Sequence, residues 1–266
     1  MERYGHGGEP VVLLHGFATS SFLWRAVAPA LALAGHTAFA VDLLGYGESD
    51  RPLEGDYSIA AQADYVEQTL AALRVARATI VGIDIGGGIA QRLAVTRAER
   101  LARLVLINSV GFDECPGRDV RAVQRGTTRH AFRIAHGLLR AAPLLRQVLE
   151  ESVASRERMS ARLVARYLAP YVGSDGVMHL LTLARALHAA DVEELNLALI
   201  RAPTLIVWGE EDRWLDSGLA ERLQQAIGGS TLVRLPGVGR LVPEEAPAAL
   251  NQMLLEFIAW SPVATA

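Results

Sequence analysis

The chain has 266 residues, 51% hydrophobic and 21% charged, the composition of a globular protein with a large buried core. Its 26 basic side chains, all of them Arg, meet 29 acidic ones for a formal net charge of -3, which argues against a nucleic-acid or anionic-membrane partner. Cys115 is the single cysteine, so an internal disulfide is excluded and a reducing, cytoplasmic setting is expected. No apolar leader opens the sequence, and no apolar run approaches the roughly 20 residues of a membrane span.

In chain order, Pro10-Val11-Val12-Leu13-Leu14 reads as a buried strand, ended by His15-Gly16-Phe17. Ser20 or Ser21 is placed to cap a helix from Phe22 to about Leu33, which Gly35 ends. Ala38–Val41 is a second strand, followed by the glycine-punctuated turn Asp42-Leu43-Leu44-Gly45-Tyr46-Gly47-Glu48-Ser49. Ser58 caps a helix to about Leu73, with Ile59, Ala63, Val66 and Leu70 on one face. A strand ends in Gly82-Ile83-Asp84-Ile85-Gly86, a helix follows it, and Leu104–Ile107 is a further strand. From about residue 113 to 196 only helical spacing is legible, and within it Arg121, Arg125, Arg129 and Arg133 recur as a solvated basic face. The strand–helix rhythm resumes at Thr204–Val207, with a helix near 219–227, a strand at Thr231–Val233 and a helix near 246–260.

Strands that are apolar throughout and alternate with helices imply a parallel sheet covered on both faces. The expected architecture is therefore a mostly parallel, doubly wound α/β sheet with residues 1–112 and 197–266 as its two parts. The all-helical block 113–196 would be an inserted lid, which builds a pocket over the strands' C-terminal ends.

The stretch Gly82-Ile83-Asp84-Ile85-Gly86 has the spacing G-x-Nu-x-G of a nucleophile elbow, a strand–corner–helix unit that projects one side chain above the sheet. Here that side chain is a carboxylate. A carboxylate at such a corner can attack an electrophilic saturated carbon and form an alkyl-enzyme ester. The glycines at 82, 86, 87 and 88 do not fit the dinucleotide pattern G-x-G-x-x-G, and the next strand ends Ile107-Asn108-Ser109 without an acid. No metal-ligand spacing is evident either, so neither cofactor nor metal is expected.

Five pieces in order carry a resemblance: His15-Gly16-Phe17, Asp42-x-x-Gly45-x-Gly47-x-Ser49, Gly82-x-Asp84-x-Gly86-Gly87, Gly209-Glu210-Glu211-Asp212, and Gly237-x-Gly239 before Pro243-Glu244-Glu245. Together they resemble the α/β-hydrolase superfamily over nearly the whole chain, and the Asp at the elbow resembles its epoxide hydrolase and haloalkane dehalogenase branch. The resemblance implies that the Phe17 and Ile85 amides form an oxyanion hole and that Asp212 is the acid orienting a catalytic His. It also implies that Tyr167 and Tyr171 donate to a substrate oxygen and that Trp214 is a pocket candidate. The superfamily's two leading strands are shortened or absent: either the sheet lacks them or Arg3-Tyr4 is the stub of the second.

The position of the catalytic His is Arg240. Arginine stays protonated near neutral pH and cannot act as a general base. Near Asp84 and Asp212 it would instead bind a carboxylate, leaving hydrolysis of an Asp84 ester impaired. Dehalogenation is disfavoured because Phe17 and Ile85 stand where the halide-stabilising dehalogenases have Asn and Trp. The expected activity is epoxide-hydrolase-like action on a small molecule. The alternatives are a non-hydrolytic cyclase, isomerase or lyase that uses Asp84 for proton transfer, and a catalytically dead ligand-binding protein. Asp42, Ser49 and His15 read as structural, Cys115 as a chance thiol, and His130, His136, His179 and His188 as ordinary lid histidines rather than replacement bases. Glu210, Glu211 and Asp216 compete with Asp212 for the acid's role.

Overall fold

The computed structural model describes residues 1–125 and 142–260. Seven strands form one sheet: β1 (Glu2–Tyr4), β2 (Pro10–Leu14), β3 (Thr37–Val41), β4 (Ala78–Asp84), β5 (Leu101–Ser109), β6 (Thr204–Gly209) and β7 (Thr231–Leu235). Their spatial order is β1-β3-β2-β4-β5-β6-β7, and every pairing is parallel except β1 with β3. β2, β3, β4 and β6 are apolar at nearly every position, and β3, β4 and β6 are buried along their whole length, as a sheet covered on both faces requires. The three-residue β1, with Arg3 opposite Phe39, is the stub expected at Arg3-Tyr4.

Among the described residues the helices in chain order are α1 (Ala28–Leu33), α2 (Ile59–Ala72), α3 (Ile85–Thr96), α4 (Arg118–Gln124), α5 (Ala142–Glu151), α6 (Ala161–Leu168), α7 (Gly173–Arg185), α8 (Ala190–Glu193), α9 (Leu219–Ala226), α10 (Val242–Glu245) and α11 (Pro247–Ala259). The Ser58 hydroxyl accepts the Ala61 amide at 3.1 Å and starts α2 as expected. One expectation fails. The run from Phe22 to Leu33 is not a single helix but a 3-10 turn, Ser21–Trp24, followed by α1. Pro29 lies in the first turn of α1, where its missing N–H costs nothing, and no serine side chain caps the turn. Between β5 and β6 the described residues hold helices and 3-10 turns but no strand. Arg129, Arg133, His130 and His136 lie outside the described residues. α4 stops at Gln124, and Arg121 folds back to donate to the carbonyls of Pro116 and Asp113, both at 2.6 Å.

The strand order reverses at β2: β3 lies to one side of it and β4, reached through α2, to the other. At such a switch point the loops leaving two neighbouring strands diverge and open a crevice at their C-terminal ends. The segment after β2 and the corner after β4 meet there. The close approach leaves no room at Gly86, where a Cβ would collide with the backbone carbonyls of Leu14 and His15. We expect Gly86→Ala to destabilise the fold by about 1–3 kcal/mol through overpacking, read as a lower midpoint of urea unfolding. An unchanged midpoint would contradict the tight packing of elbow against β2.

Candidate functional site

Asp84 is both the last residue of β4 and the residue before α3, with φ 55° and ψ -121°. That backbone is costly for a residue with a Cβ and persists only where its surroundings enforce it. Gly16 packs so close that a Cβ there would lie 2.9 Å from the Asp84 Cβ and Oδ2. The result is a buried carboxylate, 3% exposed, standing above the sheet.

The Phe17 amide donates to Asp84 Oδ2 at 2.8 Å. The Ile85 amide sits at the first position of α3, next to the same carboxylate. On the other side, Arg240 Nη2 forms an ion pair with Asp84 Oδ1. The same guanidinium donates from Nη1 to Asp119 Oδ2 at 2.9 Å. Arg240 and Asp119 are themselves buried, 3% and 5% exposed. One cation thus spans two carboxylates, one at the C-terminal end of the central strand β4 and one on α4.

Asp212, expected beside the residue in the His position, makes no hydrogen bond to Arg240 among the described residues. Its Oδ2 accepts from Asn108 Nδ2 at 2.9 Å, and its Oδ1 from the amides of Trp214 at 2.8 Å and Leu215 at 3.2 Å. The Arg240 charge reaches it only through space. Asn108 also brackets Gly209, accepting its amide at 2.8 Å and donating to its carbonyl at 3.1 Å. Neither Asp119 nor Asn108 was singled out from sequence. Asp119 belongs to no motif, and Asn108 is the penultimate residue of β5, a neutral amide with no spacing that marks it.

The electrostatics follow from two buried carboxylates, Asp84 and Asp119, and the half-buried Asp212 around one guanidinium. Burial pushes the Asp84 carboxyl above the usual carboxylate range, and Arg240 offsets this only in part. Asp212 is pushed up for the same reason, against the pull of Arg240 and its three hydrogen bonds. The Arg240 guanidinium, facing Asp119, Asp84 and Asp212, stays protonated despite burial. His15 is fully buried and neutral: Nδ1 bonds the Gly16 carbonyl at 2.8 Å, Nε2 accepts the Leu43 amide at 3.1 Å, and burial lowers its pKa to about 4. His15 therefore supports the loop and has no nitrogen left to act as a base.

Above Asp84 lies a cavity of about 20 Å³. Asp84, Asp119 and Arg240 line it with Phe17, Leu149 and Ser152. Tyr167 and Trp214 are not among its lining residues. The Tyr167 hydroxyl is turned away and donates to Glu244, beside Phe22. The Trp214 indole N–H donates to Ser152 Oγ at 3.1 Å, one shell behind the cavity. Tyr171 does not line it either, but its buried hydroxyl has no partner among the described residues, and neither has that of Tyr46. His179 is committed to the Gly45 carbonyl at 2.7 Å. The Cys115 thiol is buried, pointed at the His188 carbonyl, and pushed up by burial, as suits an inert position. Asp42 accepts the Ser21 amide at 2.8 Å, and Ser49 donates to the Asp42 carbonyl at 2.7 Å, so that turn is structural. No cluster of potential metal ligands occurs among the described residues.

Asp84→Asn tests the electrostatics. A carboxyl raised in the folded state favours its protonated form there, so its contribution is intact below the unfolded value near 3.8 and lost as pH rises through the folded value. We expect Asp84→Asn to stabilise the protein at neutral pH, the gain fading as pH falls through the raised folded value towards 3.8. Urea melts at both pH values measure this, and a gain that grows on acidification would refute it.

Residues 9–247 match the family model described as the alpha/beta hydrolase fold. The uncharacterized hydrolase YugF of Bacillus subtilis is 28% identical over 97% of this chain and 93% of its own length. A haloalkane dehalogenase of Mycobacterium marinum is 37% identical over 52% of this chain and 43% of its own. Among solved structures, an alpha/beta hydrolase fold protein from Burkholderia ambifaria superposes with a TM-score of 0.84 at 30% identity, covering 96% of this chain and 92% of that one.

Proposed function

Because the chain belongs to the α/β-hydrolase fold family, we propose that it is an epoxide-hydrolase-like enzyme whose chemistry begins at Asp84. Oδ2 is held by the Phe17 amide, so Oδ1 is the oxygen that meets the substrate. It attacks an electrophilic ring carbon in line, the carbon–oxygen bond of the epoxide breaks, and the released alkoxide takes a proton. Tyr171, whose hydroxyl is unpaired, is the donor retained from the sequence reading. The product is an alkyl ester of Asp84, with the amides of Phe17 and Ile85 facing its carbonyl oxygen. To admit a substrate, the side chains of Val148 and Leu149 on α5 must draw back, since the space above Asp84 is the size of one water.

The observation that carries this reading is Arg240 in the position of the base, tied to Asp84 and Asp119. A guanidinium there restrains the nucleophile and cannot deprotonate water, so the ester forms and turns over slowly. An epoxide suits the site better than an alkyl halide. A leaving halide needs N–H donors, and the Trp214 N–H is already used by Ser152. A second reading, proton transfer without an ester, is favoured by the raised Asp84 carboxyl, which keeps its proton to a higher pH than a free carboxyl does. Intact-mass measurement separates the two. Incubation with a small epoxide should add one covalent equivalent to the parent and none to Asp84→Asn. If Asp84→Asn abolishes conversion and the parent never carries an adduct, proton transfer is the chemistry.

Arg240→His places an imidazole, a stronger base than any carboxylate in the site, beside Asp84. We expect it to raise multiple turnover on small epoxides by about 100-fold, measured as diol release. A variant that merely matches the parent across a panel of epoxides and haloalkanes would remove the hydrolytic reading.

A further inference from the structure

The site holds one group that the scheme above leaves unused. Asp119 Oδ2 is paired with Arg240, but Oδ1 is buried and has no hydrogen-bond partner among the described residues. Leaving a carboxylate oxygen buried and unpaired is costly, and such an atom calls for a donor. Asp119 and Asp84 line the same cavity of about 20 Å³, which exceeds the roughly 10–15 Å³ that one water requires. Its polar side chains are the two carboxylates, the Arg240 guanidinium, Ser152 and Thr19, whose hydroxyl already donates to the Gly16 carbonyl.

From this juxtaposition we infer that Asp119 is the general base for hydrolysis of the Asp84 ester, replacing the histidine that Arg240 displaced. The inference rests on Asp84 acting as the nucleophile. When Oδ1 of Asp84 becomes an ester, that residue loses its negative charge and Arg240 is left with Asp119 as its partner at Nη1. A water between the two side chains then faces the Asp84 Cγ on one side and Asp119 Oδ1 on the other. Its oxygen bonds to Cγ as its proton passes to Asp119. The oxyanion of the tetrahedral intermediate is held by the Phe17 amide. Collapse breaks the bond between Cγ and the alkyl oxygen, and the alcohol leaves with the proton returned from Asp119. Asp84 is regenerated carrying one oxygen from water. Arg240 is in this account a positioning residue that holds Asp119 against the cavity.

The test is a single-turnover experiment with styrene oxide in heavy-oxygen water, on the parent, Asp119→Asn and Asp119→Glu. The parent should form the adduct and clear it, leaving one heavy oxygen in the peptide that contains Asp84. In Asp119→Asn the adduct should still form but clear about 100-fold more slowly, whereas Asp119→Glu, which keeps a carboxylate, should recover part of the rate. Clearance in Asp119→Asn at the parent's rate would overturn the assignment while leaving Asp84 as nucleophile. Equal slowing of adduct formation and clearance would mark Asp119 as a structural partner of Arg240 and likewise overturn it. Absence of an adduct in all three proteins would remove the Asp84 reading and this inference together.

Discussion

The organising interaction is a buried guanidinium shared between two carboxylates. Arg240 arrives from the loop after β7, Asp84 from the corner after β4 and Asp119 from α4, so one side chain joins the sheet to the helical segment. Buried ion pairs gain little net stability because desolvating each charge costs several kcal/mol. With one cation against Asp84, Asp119 and Asp212, the compensation is incomplete, and burial wins at Asp84 and Asp212. A cluster of this kind is expensive for a fold to keep, which is the usual mark of a site shaped by what it does rather than by stability.

The other elements arrange themselves around that cost. His15 spends both ring nitrogens fixing the turn that aims the Phe17 amide. Asn108 anchors Asp212 and the end of β6 together, independently of Arg240. Glu245 accepts the amides of Ala154 at 2.9 Å and Gly239 at 2.6 Å, pinning the residue before Arg240 against the helical segment. Each is a polar group whose bonds stay within the protein, so the loops around Asp84 are set by short-range contacts.

Much of this was legible in the sequence because it is encoded locally. The apolar runs gave strands at the observed places, the glycines at 82 and 86 marked the corner, and Gly237-x-Gly239 announced that an arginine stood in an unusual position. What could not be read is the pairing between residues far apart in the chain. Asp119 lies 121 residues from Arg240 and in no motif. Phe22 to Leu33 looked continuous because apolar spacing ignores where a helix can begin, and Pro29 fixes that start later. Tyr167 was assigned to the pocket by its type, but Glu244 offered its hydroxyl a buried acceptor. Pattern reports what a segment prefers, whereas partners are settled by the fold.

The corner itself has one further consequence. Backbone carbonyls of Leu14 and His15 crowd Gly86, that of Gly86 crowds Gly82, and the Asp84 carboxylate presses on Gly16. A main chain so hemmed in cannot drift when a neighbouring side chain is exchanged. New reactivity is therefore open to this scaffold through single-letter swaps at fixed coordinates, with no remodelling of loops in between, which makes the elbow an evolvable socket rather than a committed tool.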